Sequence, residues 1–243
     1  MTSSGIASRY RLAGRRVYDK AVAQNDENIS RLLAAHAPVG SLLDLGCDAG
    51  ERTSVYAQAA ETVDVHGVEM VDARAALARE RGISVVSADL GTPLPFADQT
   101  FDAVVSNQVI EHLFDTDMFV AEAYRVLKTG GIVVTSTENL ASWHNVAALI
   151  LGWQPFSLTN VSLTGSIGNP LGLAVGGDYR EYAVGVPWQH RRVFATRGLV
   201  DLHRGHGFTA VRSVGAGYFP LPSGLGRLNP AHAAFITVTG KRV

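Results

Sequence analysis

The 243-residue chain predicts an α/β sandwich around a mainly parallel seven-stranded sheet, and three observations carry that expectation. Apolar runs of strand length alternate with helical stretches from Leu42 to Thr137, the spacing of strands joined by crossover helices. The first run, Leu42, Leu43 and Leu45, leads through a turn holding Gly46 and Gly50 into a helix opened by Glu51. Three successive strands also reach an acid near their carboxyl ends: Asp44, Glu69 and Asp89.

Taken in order, residues 1–16 carry Arg9, Arg11, Arg15 and Arg16 among small and polar residues and read as a poorly ordered arm or a loop that closes on ligand. From about residue 18 to 37 the spacing of Ile29, Leu32, Leu33 and His36 predicts an amphipathic cover helix that Pro38 ends. Residues 38–243 form the main domain. A helix is expected over 51–60, a strand over Val63–Glu69, and a helix over 72–81, capped by Asp72 and stopped by Gly82. The third strand is read over Ile83–Asp89, and the two prolines of the Gly91–Asp98 stretch bar a helix there. The fourth strand is Phe101–Asn107, followed by a helix over Gln108–Lys128 closed by Gly130-Gly131, and the fifth is Ile132–Thr137.

The pattern breaks over 138–190. A short apolar helix near Trp143–Leu151 and a glycine-rich tract over 164–178 read as an inserted acceptor-binding lid, closed by His190, Arg191 and Arg192. Its aromatics, Trp143, Trp153, Phe156, Tyr179, Tyr182 and Trp188, offer ring faces to an acceptor or a small core to the lid itself. A helix over 196–206 and strands over 208–214 and 233–239 complete the domain, with a glycine/proline loop between the strands.

Composition narrows the class of function. With 47% hydrophobic residues, 18% charged residues and a net charge of -1, the chain can bury a core but has no basic field for nucleic acid, so a small molecule or an oligosaccharide is the expected partner. The single Cys47 permits no intramolecular disulfide and suits a reducing compartment. No apolar run is long enough to span a bilayer and the first residues lack a signal-like apolar core, so a cytoplasmic monomer or homodimer is expected.

Asp44, Glu69 and Asp89 line one carboxyl edge, where a nucleotide-like cofactor docks and an acid accepts both hydrogen bonds of a ribose diol. The stretch 40–137 resembles the class I S-adenosylmethionine-dependent methyltransferases, whose turn reads Asp-x-Gly-x-Gly-x-Gly; Asp44, Gly46 and Gly50 match it and Asp48 replaces the middle glycine. A nicotinamide-dependent dehydrogenase is the nearest rival for such a turn. The resemblance implies a Rossmann-like three-layer sandwich in which Asp44, Gly46 and Gly50 hold the methionine part, Glu69 the ribose and Asp89 the adenine, with Met70, Leu90 and Asn107 as further cofactor-binding residues. Asp48 brings an added carboxylate that the methionine ammonium could meet.

A second cluster follows the fourth strand. Gln108, Glu111 and His112, at i, i+3 and i+4, are expected on one helix face, with His144 arriving from the end of the fifth strand. Oxygen and imidazole donors with open positions suit octahedral Mg²⁺ or Mn²⁺. The pattern resembles the Glu-x-x-Glu-His and later His of metal-dependent small-RNA 2′-O-methyltransferases, and its first part the O-methyltransferases of ubiquinone biosynthesis, with Gln108 in place of the first Glu. The resemblance implies methyl transfer to a hydroxyl of a small polar acceptor, a sugar or oligosaccharide such as a mannoside, with Glu111 and His144 as catalytic residues. Without metal, His144 is the candidate base. A phenol, quinone precursor or amine as acceptor, and a module that holds the cofactor without catalysis, remain open.

Overall fold

The structure, a computed structural model, describes residues 3–159, 167–172 and 189–243, with side chains from residue 14 onward. In chain order the strands are β1 (Leu42–Leu45), β2 (Val65–Val68), β3 (Ser84–Val86), β4 (Phe101–Asn107), β5 (Leu127–Glu138), β6 (Thr209–Ala216) and β7 (Phe235–Lys241). They form one sheet in the order β3-β2-β1-β4-β5-β7-β6. Strands β1 to β5 pair in parallel, and β7 runs antiparallel between β5 and β6. The helices are α1 (Ser3–Ala34), α2 (Glu51–Ala59), α3 (Asp72–Glu80), α4 (Thr116–Val126), α5 (Trp143–Ile150), α6 (Thr196–Gly205) and a single turn, α7 (Leu225–Leu228). This is the mainly parallel α/β sandwich that the alternation predicts.

Both faces of the central strands are buried, which is why β1 and β4 read as continuous apolar runs. On one face Leu43, Leu45, Val104 and Val133 pack against Phe119, Val120 and Ala123 of α4 and Leu199 of α6. On the other, Leu42, Val105 and Val134 meet Ile29 and Leu33 of α1 and Tyr56 of α2.

Local chemistry moved several boundaries. The stretch expected as a disordered arm is helical, because α1 begins at Ser3 and continues unbroken to Ala34. Strand β3 ends at Val86, so Asp89 lies in the turn beyond it. Val71, not Asp72, is the cap residue of α3, with Asp72 the first helical residue, while Gly82 stops the helix at φ +82° as expected.

The helix expected over 108–128 does not exist as one piece. Gln108 takes a left-handed φ of +58°, a tight 3₁₀ turn covers Ile110–His112, and α4 starts only at Thr116. Asp115 caps that new start by accepting the Met118 N–H at 2.8 Å. Strand β5 begins at once at Leu127, so Gly130-Gly131 falls inside it instead of closing a helix.

Of the inserted segment, α5 and a 3₁₀ turn at Phe156–Leu158 are described; Tyr179, Tyr182, Trp188 and most of the glycine-rich tract lie outside the described residues. Ile29, fully buried between α1 and the sheet, is the apolar anchor of the cover helix. Ile29→Ala is expected to lower stability by about 2–5 kcal/mol, read as a reduced urea midpoint.

Candidate active site

The turn after β1 is built by backbone conformations that few residues adopt. Gly46 and Gly50 sit at φ +86° and +82°. A Cβ on Gly46 would overlap the Val109 side chain, and one on Gly50 would stand 2.6 Å from Ile83 Cδ1. Asp48 is also left-handed, at φ +48°, which explains why a glycine suits that position in the pattern the turn resembles. Its carboxylate points to Arg74 of α3, with Oδ1 3.4 Å from Nε, and is well exposed.

Asp44 is buried in β1, where the Thr53 hydroxyl donates to Oδ2 at 2.7 Å. Burial pushes its carboxyl up to about 7, against the opposing pull of the Thr53 bond and of Arg52. Glu69, just past β2, is held by two backbone donors, Asp48 N–H at 3.1 Å and Val71 N–H at 2.8 Å. Each of its oxygens retains a lone pair for a diol. Asp89 is exposed and accepts the Gly91 N–H at 2.8 Å. Met70 is exposed beside Glu69, and Leu90 packs partly buried on the core.

Asn107, at the end of β4, has its amide committed. Nδ2 donates to Asp26 Oδ1 at 2.9 Å and to the Tyr56 hydroxyl at 2.8 Å, and Oδ1 accepts from Asn25 at 3.0 Å. Its visible work is to fasten α1 to the sheet edge, not to hold a ligand through a spare donor.

Beside Asn107 lies a cavity of about 280 Å³, walled by Tyr18, Asn25, Arg52, Gln108, Glu138 and Phe235 among others. Glu111 lines it too. It is completely buried, and neither carboxylate oxygen has a hydrogen-bond partner among the described residues; the Thr137 hydroxyl and Gln108 Nε2 are likewise unpartnered. Burial pushes the Glu111 carboxyl up to about 7, with His190 pulling the other way. His112 Nδ1 lies 3.2 Å from the Gln189 carbonyl and donates to it, leaving Nε2 as an acceptor. Burial, helped by His190 and Arg191, holds His112 down at about 4, so the ring is neutral at pH 7.

The chain after the inserted segment returns to this spot, because the Arg191 and Arg192 N–H groups donate to the Glu111 carbonyl at 2.6 and 3.1 Å. His190 is thereby set with its ring 4.9 Å from that of His112 and its Nδ1 2.7 Å from the Ser157 carbonyl and 3.7 Å from Glu138 Oε2. Glu111, His112 and His190 each offer a ligand atom within 4.8 Å of the others.

Residues 43–135 match the sequence model of a family described as a methyltransferase domain. That match takes in the β1 turn, β2, β3, β4 and most of β5. A probable S-adenosylmethionine-dependent methyltransferase of Mycolicibacterium smegmatis is 37% identical over 43% of this chain and 41% of its own length. A ubiquinone biosynthesis O-methyltransferase of Agrobacterium fabrum is 29% identical over 53% of this chain and 56% of its own. The chain thus spans about two fifths to just over half the length of these relatives.

Among solved structures, a methyltransferase of Thermotoga maritima described as a possible histamine N-methyltransferase superposes over 99% of this chain and 96% of its own, with a TM-score of 0.57 at 21% identity. Phosphoethanolamine N-methyltransferase 2 of Haemonchus contortus gives 0.57 at 16% identity, over 90% of this chain and 52% of its own. The Rossmann-like fold of methyltransferases is common to all three.

At the second cluster the structure corrects one member. His144 does not join Glu111 and His112; its Nε2 lies 3.3 Å from Ser142 Oγ and its ring packs edge-on to Phe156 at 5.4 Å. The reason is that α5 starts at Trp143 and is tied down by Asn145, which donates to the Asn139 carbonyl and to Ser157 Oγ. Nor do Gln108, Glu111 and His112 share an α-helical face, since a left-handed residue and a 3₁₀ turn hold them. Sequence reasoning passed over His190 as a cluster member, along with Glu138, Tyr18 and Arg52. For His190 the signal was its position where the α/β pattern resumes.

The Asp44 carboxyl is raised in the fold, so the stability it lends is complete below its unfolded value near pH 4 and lost as pH rises to about 7. Melting temperatures measured across pH without ligand should show the wild type losing ground to Asp44→Asn between about pH 4 and 7, with a level difference above.

Proposed function

We propose that this chain transfers a methyl group from S-adenosylmethionine to a hydroxyl of a small polar acceptor, a sugar or oligosaccharide such as a mannoside, with a divalent cation held by Glu111, His112 and His190. The observation that carries this reading is Glu111: a fully buried carboxylate without a hydrogen-bond partner among the described residues, set against two imidazoles at a cavity wall.

The residues at the β1 turn fit the cofactor. Asp44 is held by Thr53, Glu69 keeps lone pairs on both oxygens, and the left-handed glycines keep side chains out of the turn. Asp44, Gly46 and Gly50 would hold the methionine part, Glu69 the ribose, and Asp89 with Leu90 the adenine. Bound there, S-adenosylmethionine supplies a methyl group already activated by its sulfonium.

What remains for the protein is to align the acceptor oxygen and manage its proton. Tyr18 and Asn25 of α1 and Arg52 of α2 close the cavity over the site, and among its lining residues only Val22 and Phe235 are wholly apolar. Such a wall favours a polyol head over a flat quinone ring. Two imidazoles and one carboxylate suit Mn²⁺ better than Mg²⁺, and a cation there lowers the pKa of a bound hydroxyl. Glu138, 3.7 Å from His190, orients that ring. Cys47, buried and the chain's single thiol, accords with a cytoplasmic setting.

The methyltransferase of ubiquinone biosynthesis among the relatives favours a second reading, a phenolic acceptor without metal, in which Glu111 takes the proton. Calorimetry with Mn²⁺ in the presence of S-adenosylhomocysteine separates the two. Saturable Mn²⁺ binding that Glu111→Gln and His190→Ala weaken by about 10-fold or more, and that His144→Ala leaves intact, is expected. Absence of Mn²⁺ binding by the wild type removes the metal and leaves the phenolic reading.

A further inference from the structure

We infer that the rim of this cavity docks on an anionic lipid surface, and that the acceptor is the polar head of an amphiphile presented there; only the acceptor's identity rests on the methyl transfer proposed above. Exposed large apolar side chains are unevenly placed. Among the described residues, Val55, Val63, Leu77 and Val243 lie on outer helices or at the far side of the sheet. Most of the others belong to segments at the carboxyl edge of β4 and β5, where the cavity opens.

Phe114, 69% exposed, follows β4; Ile150 and Leu151, 80% and 59% exposed, follow β5; Leu221 and Leu228, 53% and 83% exposed, lie between β6 and β7. The last two segments touch, since Trp143 of α5 stacks on His232 with ring centroids 4.1 Å apart. Helix α5 carries no charged residue at all. An apolar rim around a polar-walled cavity fits a molecule whose head enters the cavity and whose chain stays outside.

Charge selects what covers the rim. Residues 15–20 of α1 are all exposed, and only Tyr18 among them reaches back to the body, its ring edge-on to Phe235 at 5.7 Å, so the cations of this part of the helix stand in solvent. Residues 3–20 contain Arg9, Arg11, Arg15, Arg16 and Lys20 against Asp19 alone, a net +4, which leaves -5 on the rest of a chain whose total is -1. Val17 and Tyr18, each 44% exposed, stand among these cations, and Tyr18 also lines the cavity. On the opposite lip the Arg191 guanidinium lies 3.8 Å over the exposed Phe114 ring. Cations interleaved with aliphatic and aromatic side chains are the makeup of a surface that lies on anionic lipid. No helix among the described residues is long and apolar enough to cross a membrane, so contact is at the interface.

Flotation of the full chain with vesicles of phosphatidylcholine, alone or mixed with phosphatidylglycerol, tests the docking. The wild type should float with the mixed vesicles and fall away at high salt. Arg15→Ala/Arg16→Ala should weaken that partition about 30-fold, and Ile150→Ser/Leu151→Ser at least about 10-fold. All four residues are exposed, so folding should be unchanged, and S-adenosylhomocysteine binding should match the wild type in both variants.

Failure of the wild type to float with mixed vesicles, or equal flotation of both variants, overturns the docking. In the mixed vesicles a dodecyl mannoside should be methylated faster than methyl mannoside; equal rates overturn the amphiphilic acceptor. Loss of S-adenosylhomocysteine binding in the wild type would instead sink methyl transfer and leave the flotation result standing.

Discussion

One chain of buried hydrogen bonds sets everything at the carboxyl edge of the sheet. Thr237 of β7 and Ser136 of β5 both donate to Asn25 Oδ1 of α1, at 3.0 and 2.8 Å, and Asn25 passes the chain to Asn107 of β4, which hands it to Asp26 and Tyr56. Amides and hydroxyls buried this deeply are tolerated only when paired, so α1 has one register on the sheet in which all of them are satisfied. That register brings Tyr18 and Asn25 to the cavity and places Arg52 beside Asp26, 3.2 Å away. Apolar packing at Ile29 and Leu33 supplies adhesion, and the polar chain supplies alignment.

Two carboxyls stand apart from that satisfied network. Asp44 and Glu111 are both buried, and burial pushes both up to about 7. Asp44 has one hydroxyl partner, from Thr53, whereas Glu111 has none among the described residues. An acid left without partners beside the equally unpartnered Gln108 Nε2 and Thr137 hydroxyl keeps a concentrated negative charge, or its proton, ready for whatever enters the cavity.

The sheet and the first turn were legible because buried parallel strands write themselves as unbroken apolar runs and left-handed turns as glycines; Leu42–Leu45, Gly46 and Gly50 needed no tertiary context. What followed β4 was not legible. The residues from Gln108 to Lys128 have helical composition, yet backbone pairing with β5 claims the Gln108 N–H for the Ser136 carbonyl, and Leu127 onward is drawn into the sheet beside Phe101. Propensity is local and those bonds are not. His144 was read into the cluster because it is near in sequence, whereas His190, 78 residues beyond His112, arrives through backbone bonds to the Glu111 carbonyl that no pattern of residue types encodes.

The antiparallel β7 has a meaning for how the molecule is made. Among the described residues it alone bonds to β5 on the side away from β4, and β6 reaches the sheet through it. During synthesis from the amino end, β5 must wait with one edge open until residues 235–241 leave the ribosome, and β6, already made, has nothing to pair with. Phe235, at the start of that strand, is also a wall of the cavity. The cavity is therefore enclosed only after β5 has met a strand made much later than itself, so the glycine turn takes shape before the room beside it is finished.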